Sequence, residues 1–352
     1  MGRHFRPIMG VNISEIVPVE VVQLEDLVGR AMAIDAYNAI YQFLSVIRQP
    51  DGTPLMDSKG RVTSHLAGLL YRNANLIEVG IRPCYVFDGI PPEEKSETIL
   101  DRAEKRSKAK MEWEDALRRG DVPKAFSKAT QASRITNEIV ESSRILLTHL
   151  GIPVVQAPGE GEAQAAYMAI KGSVWASSSQ DFDSLLFGAP RMVRNLTLTT
   201  KRKLPGRGGY KTVSIEVIEL DRVLRELGVT REQLIDMCIL IGTDYNQGVF
   251  GIGPKKALKL MREHKYLEAA LKAVGAEIPR SRVVKSMFLD YEKTDDFNLD
   301  WRRPDKGKVL EFLCEDHDFS RTRVEGALDR IESSRPEEKV SPKAQSSLDA
   351  FG

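Results

Sequence analysis

Three stretches of this chain share one form, a short apolar run that stops at an aspartate. RAMAIDA reaches Asp35, RPCYVFDG reaches Asp88, and SVWASSSQDFD reaches Asp181 and Asp183. Between them lie segments with helical spacing. SHLAGLLYRNANLIEV (64–79) puts Leu66, Leu69, Leu70, Ala74 and Ile77 on one face, and 136–150 does the same with Ile139, Val140, Leu146, Leu147 and Leu150 before Gly151. A further short run, IPVVQAP, starts at 152. Strands alternating with helices predict an α/β chain with a central, mainly parallel sheet flanked by helices. Ligands of such sheets bind beyond the carboxyl ends of the strands, so the strand-ending acids converge on one rim.

Composition narrows the class. At 352 residues, 42% hydrophobic and 29% charged, the chain can bury a large core, and its net charge of +1 demands no acidic partner by itself. Cys84, Cys238 and Cys314 lie far apart without zinc spacing, and Cys84 and Cys238 read as buried thiols of a reducing, cytoplasmic compartment. No apolar run approaches the ~20 residues of a membrane span, and MGRHFRPI has no apolar region after it to make a secretory signal.

The acids carry the chemistry. APGEGEAQAAY (157–167) sets Glu160 and Glu162 either side of Gly161 at a helix start. Taken singly, each acid has an ordinary alternative as a turn or cap residue favoured by the helix dipole. Taken together, Asp35, Asp88, Glu160, Glu162, Asp181, Asp183 and Asp244 would repel one another unless cations sat among them. Hard oxygen ligands without His or Cys favour Mg2+, with Mn2+ as a substitute, and a wide cluster suits two ions acting on a phosphodiester. Asp181 and Asp183, two apart, are expected on one side of an extended chain. Gly161 is expected to let metal, water and phosphate come close to a bare backbone. A phosphatase of the haloacid-dehalogenase type is excluded, because position 185 is Leu where a hydroxyl residue is required.

Other segments suit nucleic acid. GVFGIGPKK places Gly251 and Gly253 before a proline, Lys255, Lys256 and a helix, a composition for receiving a phosphate on backbone amides; an ordinary turn is the alternative. Residues 191–211, Arg194 among them, hold seven basic residues and no acidic one. Helices are expected near 214–228 and 230–242. The charged segment 89–134 interrupts the sheet as an inserted arch, and a helix over 95–118 would lean Lys95 and Arg102 over the acidic rim. A solvated, salt-laced helix is the alternative. Tyr41, beyond Asp35, could stack a base or sit in the core.

The segments MGVN (9–12), AIDAYNAIYQFL, TSHLAGLLYR, YVFDGIPPEEKS, APGEGEAQAAY, SSSQDFDSLLF, IGTDY and GIGPKKAL, in that order, resemble flap endonucleases of the archaeal type. The resemblance implies the PIN-like fold of 5′ nucleases and a divalent-metal nuclease that removes 5′ flaps from branched DNA, with exonuclease activity, in replication and repair. It maps the seven carboxylates onto the family's metal acids. Lys95 and Arg102 map onto the arch residues that position the scissile phosphate, and Tyr41 onto the base-stacking tyrosine. Gly251 to Lys256 map onto a helix–two-turn–helix that holds duplex, with K+. Gly10, Arg48, Thr63, Arg72, Glu160 and Arg194 fall among the DNA contacts. QSSLDAFG resembles the sliding-clamp (PCNA-type) peptide through Gln345, Leu348 and Phe351, with Gly352 where a second aromatic is usual.

The expected organisation is a single nuclease unit over 1–332, acting as a monomer. It comprises an N-terminal region 9–110, the arch 89–134, an internal region 135–265 with the helix–two-turn–helix about 230–265, and helices over 266–332. A disordered tail, 333–352, carries the clamp peptide at 345–352. Family members usually begin Met-Gly-Val, so either translation starts at Met9 or MGRHFRPI passes beside the site. Two rival readings are a non-catalytic branched-DNA adaptor and an RNA nuclease of the related toxin-type fold, whose chains are much shorter.

Overall fold

The computed structural model describes residues 11–90, 95–198, 201–203 and 210–334. Gly10 and the clamp residues Gln345, Leu348 and Phe351 lie outside the described residues.

The strands are β1 (Glu20–Val22), β2 (Ala31–Asp35), β3 (Arg82–Phe87), β4 (Val154–Gln156), β5 (Ala176–Ser178), β6 (Arg191–Arg194), β7 (Lys201–Lys203), β8 (Tyr210–Thr212) and β9 (Ile215–Glu219). Seven of them form one sheet in the order β1-β9-β6-β5-β2-β3-β4. The run from β6 to β4 is parallel throughout, while β9 and β1 are added antiparallel at one edge. β7 and β8 make a separate hairpin.

Alternation within β2 and β3 splits the core into two faces. Met32, Ile34, Tyr85 and Phe87 face one cluster with α1 (Ala36–Val46), α2 (Ser64–Glu78) and, beyond the arch, helix Asn137–His149. Ala31, Ala33, Cys84 and Val86 face the helix Gly161–Ile170 on the other side. Behind that helix a strap without regular structure carries Phe297, Leu299 and Trp301 against the same cluster. Trp301 Nε1 donates to the Pro83 carbonyl at 2.7 Å.

The arch consists of α3 (Ser96–Arg118) and α4 (Val122–Gln131), inserted between β3 and β4. The helix Asn137–His149 is α5, and Gly161–Ile170 is α6. After them come the single turn α7 (Asp183–Leu186), α8 (Leu220–Leu227), α9 (Arg231–Ile241) and α10 (Pro254–His264). α9, α10 and their neighbours build a third core cluster beside the sheet.

One expectation is corrected here. Residues 215–219 form the antiparallel strand β9, and the helix expected from 214 begins only at Leu220. Pairing with both β1 and β6 overrides the helical spacing of that segment. The basic stretch 191–211 begins in an internal strand, Arg191–Arg194, whose Met192 and Val193 are buried.

Candidate active site

The chain leaves β2 toward β3 on one side, and β5, on the other side of β2, leads to β6. Such a reversal opens a crevice at the carboxyl ends of the strands. Asp35 ends β2 there and Asp181 and Asp183 follow β5; Asp88 follows β3, and Glu160 and Glu162 open α6 after β4. Asp244, from the turn after α9, joins them, because its charge bears on both Asp181 and Asp183.

Each acid is fixed by its neighbours. Asp35 caps α1, accepting from Asn38 N at 3.1 Å, while Asn38 Nδ2 donates to Asp181 Oδ2 at 3.2 Å. Gly161 N donates to Asp88 Oδ1 at 2.7 Å. Ser179 Oγ donates to Glu162 Oε1. Val11 N donates to Asp183 Oδ1 at 3.3 Å. Glu160 occupies the N-cap position of α6 but makes no capping bond, and its carboxylate reaches Lys95 instead. The helix-dipole reading therefore does not describe its partner.

Burial dominates the electrostatics. It pushes Asp35 up to about 6, and the charges of Lys95 and Glu160 then act on it in opposite senses. Asp88 and Asp181 rise to about 7, again through burial first and neighbouring acids second. Glu162 and Asp183 are raised well above the carboxylate range by the same two causes. Burial works against the Lys95 charge, yet Glu160, Asp244 and Asp88 hold its ammonium above the usual lysine value.

Two arch cations answer this field. Lys95 Nζ lies 2.6 Å from Glu160 Oε2 and 3.7 Å from Asp244 Oδ2, and Arg102 Nη2 lies 2.7 Å from Asp244 Oδ1. Thr98 Oγ1 donates to the Asp244 carbonyl at 2.6 Å. As they stand, no three acids among the described residues gather closely enough to hold one metal ion. The donor set nevertheless fits hard divalent cations, because these carboxylates lie together, largely buried, with too little positive charge to balance them.

One local reading changes. Phe182 has φ −84° and ψ 3°, and Asp183 starts α7, so a turn rather than an extended strand separates Asp181 from Asp183. At Gly161 a Cβ would stand 2.6 Å from Asp88 Oδ1 and 3.2 Å from the Val86 carbonyl. The bare backbone makes room for the Asp88 carboxylate.

Two family models match this chain, the XPG N-terminal domain over residues 9–109 and the XPG I-region over 151–244. Flap endonuclease 1 of Pyrococcus furiosus is 54% identical over 327 residues, covering 93% of this chain and 96% of that relative. The chain belongs to the flap endonuclease 1 family. The Archaeoglobus fulgidus member is 52% identical over 325 residues, 92% of this chain and 96% of its own. Among solved structures, flap endonuclease-1 from Methanococcus jannaschii aligns with a TM-score of 0.74 and 40% identity, over 92% of this chain and 98% of that one. The catalytic core of Rad2 in complex with DNA substrate aligns at 0.67 with 25% identity, over 89% and 96%. The flap endonuclease 1 family thus has its mixed α/β architecture here, and both matched segments contribute acids to the rim.

The remaining expected site residues lie around it. Tyr41 is half-buried on α1. Arg48 is held by the carbonyls of Leu44 (2.7 Å) and Gly52 (2.6 Å) and by Ser133 Oγ (2.6 Å), so it ties α1 to the end of the arch. Thr63 is buried just before α2, and Arg72 lines a cavity of about 500 Å3 with Gln23 and Asn195. Arg194 pairs with Glu216 at 2.8 Å and lies 4.5 Å over the Phe182 ring. Lys256 Nζ donates to the Gly251 carbonyl at 2.9 Å, and Lys255 lies 3.7 Å from Glu15. A second cavity, about 690 Å3, opens between arch and body and is lined by Arg48, Arg106, Lys110 and Arg134.

Asn38, Thr98 and Ser179 were not singled out by the sequence reading. Asn38 alone had a signal, since it stands three residues after a helix-capping aspartate.

Proposed function

We propose that this chain is a structure-specific 5′ flap endonuclease, with accompanying 5′-3′ exonuclease activity, acting on branched DNA in replication and repair. The observation that carries the reading is the set of largely buried carboxylates around the carboxyl ends of β2, β3 and β5, faced by Lys95 and Arg102 from an inserted helical arch. Membership of the flap endonuclease 1 family supports it.

Asp35, Asp88, Glu160, Glu162, Asp181, Asp183 and Asp244 would hold two Mg2+ ions, or Mn2+ in their place. Bound there, the ions supply Lewis-acid charge and an activated water for phosphodiester hydrolysis. The chain's own part is positioning. Asn38 links Asp35 to Asp181, Ser179 fixes Glu162, and Gly161 N orients Asp88. Lys95 and Arg102 turn from the acids to the scissile phosphate when substrate enters. Tyr41 stacks a base beside the rim. Gly251 to Lys256, with K+, receive the duplex backbone, and Gly10, Arg48, Thr63, Arg72 and Arg194 make outlying contacts. Gln345, Leu348 and Phe351 bind a sliding clamp of the PCNA type. All seven acids come from one chain, so a cytoplasmic monomer suffices. Among the described residues no helix is long and apolar enough to cross a membrane.

A labelled 5′-flap DNA incubated with the protein and Mg2+, with and without EDTA, tests the reading. Metal-dependent cleavage at the junction is expected. Binding without any product would favour the non-catalytic adaptor, and faster cleavage of RNA than of DNA flaps would favour the RNA nuclease. Removing 345–352 should abolish stimulation by the clamp and leave unaided cleavage intact.

A further inference from the structure

The turn after Asp244 has a feature that phosphate binding alone does not require. Val249 N donates to the Leu240 carbonyl at 2.8 Å, and Ile252 N closes the turn on the Val249 carbonyl at 3.1 Å. Val249 and Ile252 both pack against the cluster built by α9 and α10. Between them, Gly251 has φ +77°, the backbone that the third position of a type II turn demands. Phe250 takes the second position and is 77% exposed, against 37% for Phe126, the other exposed phenylalanine among the described residues. A single exposed apolar side chain is ordinary. One carried on a turn anchored at both ends, a few residues before Lys255 and Lys256, is a fixed apolar projection on a cationic surface.

We propose that Phe250 is a positioning residue that packs on the apolar face of a deoxyribose in the duplex. The chemistry follows from the backbone of DNA, in which every phosphate is flanked by two sugars with apolar faces. A turn that receives one phosphate at Gly251–Lys256 brings its neighbouring side chain to the adjoining sugar. Beside Gly251 and Gly253 an added Cβ would meet nothing within 4 Å, so the backbone next to Phe250 is open to a ligand. Such a contact adds affinity that salt does not screen, whereas the lysine contribution falls as counterions compete. It fixes the distance from the duplex to the acid rim and makes no contact with the reacting phosphate. The inference rests on the reading of this element as the duplex holder.

The test measures binding of a blunt DNA duplex across a salt series, and steady-state cleavage of a 5′ flap, for the full chain and for F250A, F250W and a K255A/K256A double variant. F250A is expected to weaken duplex binding about tenfold at every salt concentration, with the salt slope unchanged. On the flap it should raise KM by a similar factor and leave kcat alone, and F250W should restore both. The double variant should instead flatten the salt slope. If F250A binds within about twofold of the parent while the double variant loses slope, the Phe250 inference is overturned and the duplex-holder reading stands. If neither substitution changes binding, both fall. A loss for F250A that tracks salt, or that F250W fails to rescue, also overturns it.

Discussion

Lys95 Nζ stands 2.6 Å from Glu160 Oε2 and 3.7 Å from Asp244 Oδ2, so one arch ammonium spans acids from two different parts of the fold. Its neighbour Arg102 shares Asp244. Both cations belong to the arch and face the acid rim. Replacing Lys95 by Ala should therefore slow single-turnover flap cleavage about 100-fold, while flap affinity changes by less than about threefold. Quenched-flow cleavage and equilibrium binding on one substrate check the split.

Asp181 touches Asn38 and feels the charges of Asp244 and Asp35. Asp181→Ala should abolish cleavage and keep flap binding. Asp181→Asn should also raise the melting temperature of the metal-free protein by a few degrees, because it deletes one repelling charge from a buried cluster. A metal-free melt that is lower than the parent's would contradict the repulsion argument.

The acids also set a pH dependence. Asp35, Asp88 and Asp181 have folded pKa values of about 6, 7 and 7, above the ordinary 3.8. A group shifted upward is best tolerated below its unfolded value, and its contribution to stability is lost as pH climbs through the folded one. In EDTA the protein should lose stability steadily between about pH 4 and pH 7. Mg2+ should remove most of that loss, and calorimetry at fixed ionic strength with and without the metal reads both effects.

Gly161 offers the sharpest steric test. Gly161→Ala would put a methyl 2.6 Å from Asp88 Oδ1. We expect a loss of about 1–3 kcal/mol in stability and at least a tenfold fall in cleavage, with Asp88 displaced. Chemical denaturation and turnover assays decide it.

Much of this was legible in the chain because buried parallel strands leave unbroken apolar runs, and the acids stop those runs. β2, β3 and β5 announced themselves in that way, as did the long arch helix through its charge. The antiparallel edge did not. β1 has three residues, and β9 owes its form to partners rather than to its own pattern. Within the site, the type of residue was visible and the local geometry was not. Asp181 and Asp183 meet across a turn that spacing by two does not reveal. Ser179 and Thr98 act through contacts with residues distant in sequence, and nothing in their immediate neighbourhood records those contacts.

The order of strands has a further consequence, for synthesis. β2 pairs with β3 on one side and with β5 on the other, so Met32 waits for Ala176 to find its partner. The last acid, Asp244, follows later still. Pairings so distant along the chain slow folding, and a partly made chain emerging from the ribosome lacks the complete rim. Cleavage competence therefore arrives late, after residue 244 has joined the sheet's open crevice. A chain cut short before residue 244 would lack one of the seven acids of the rim.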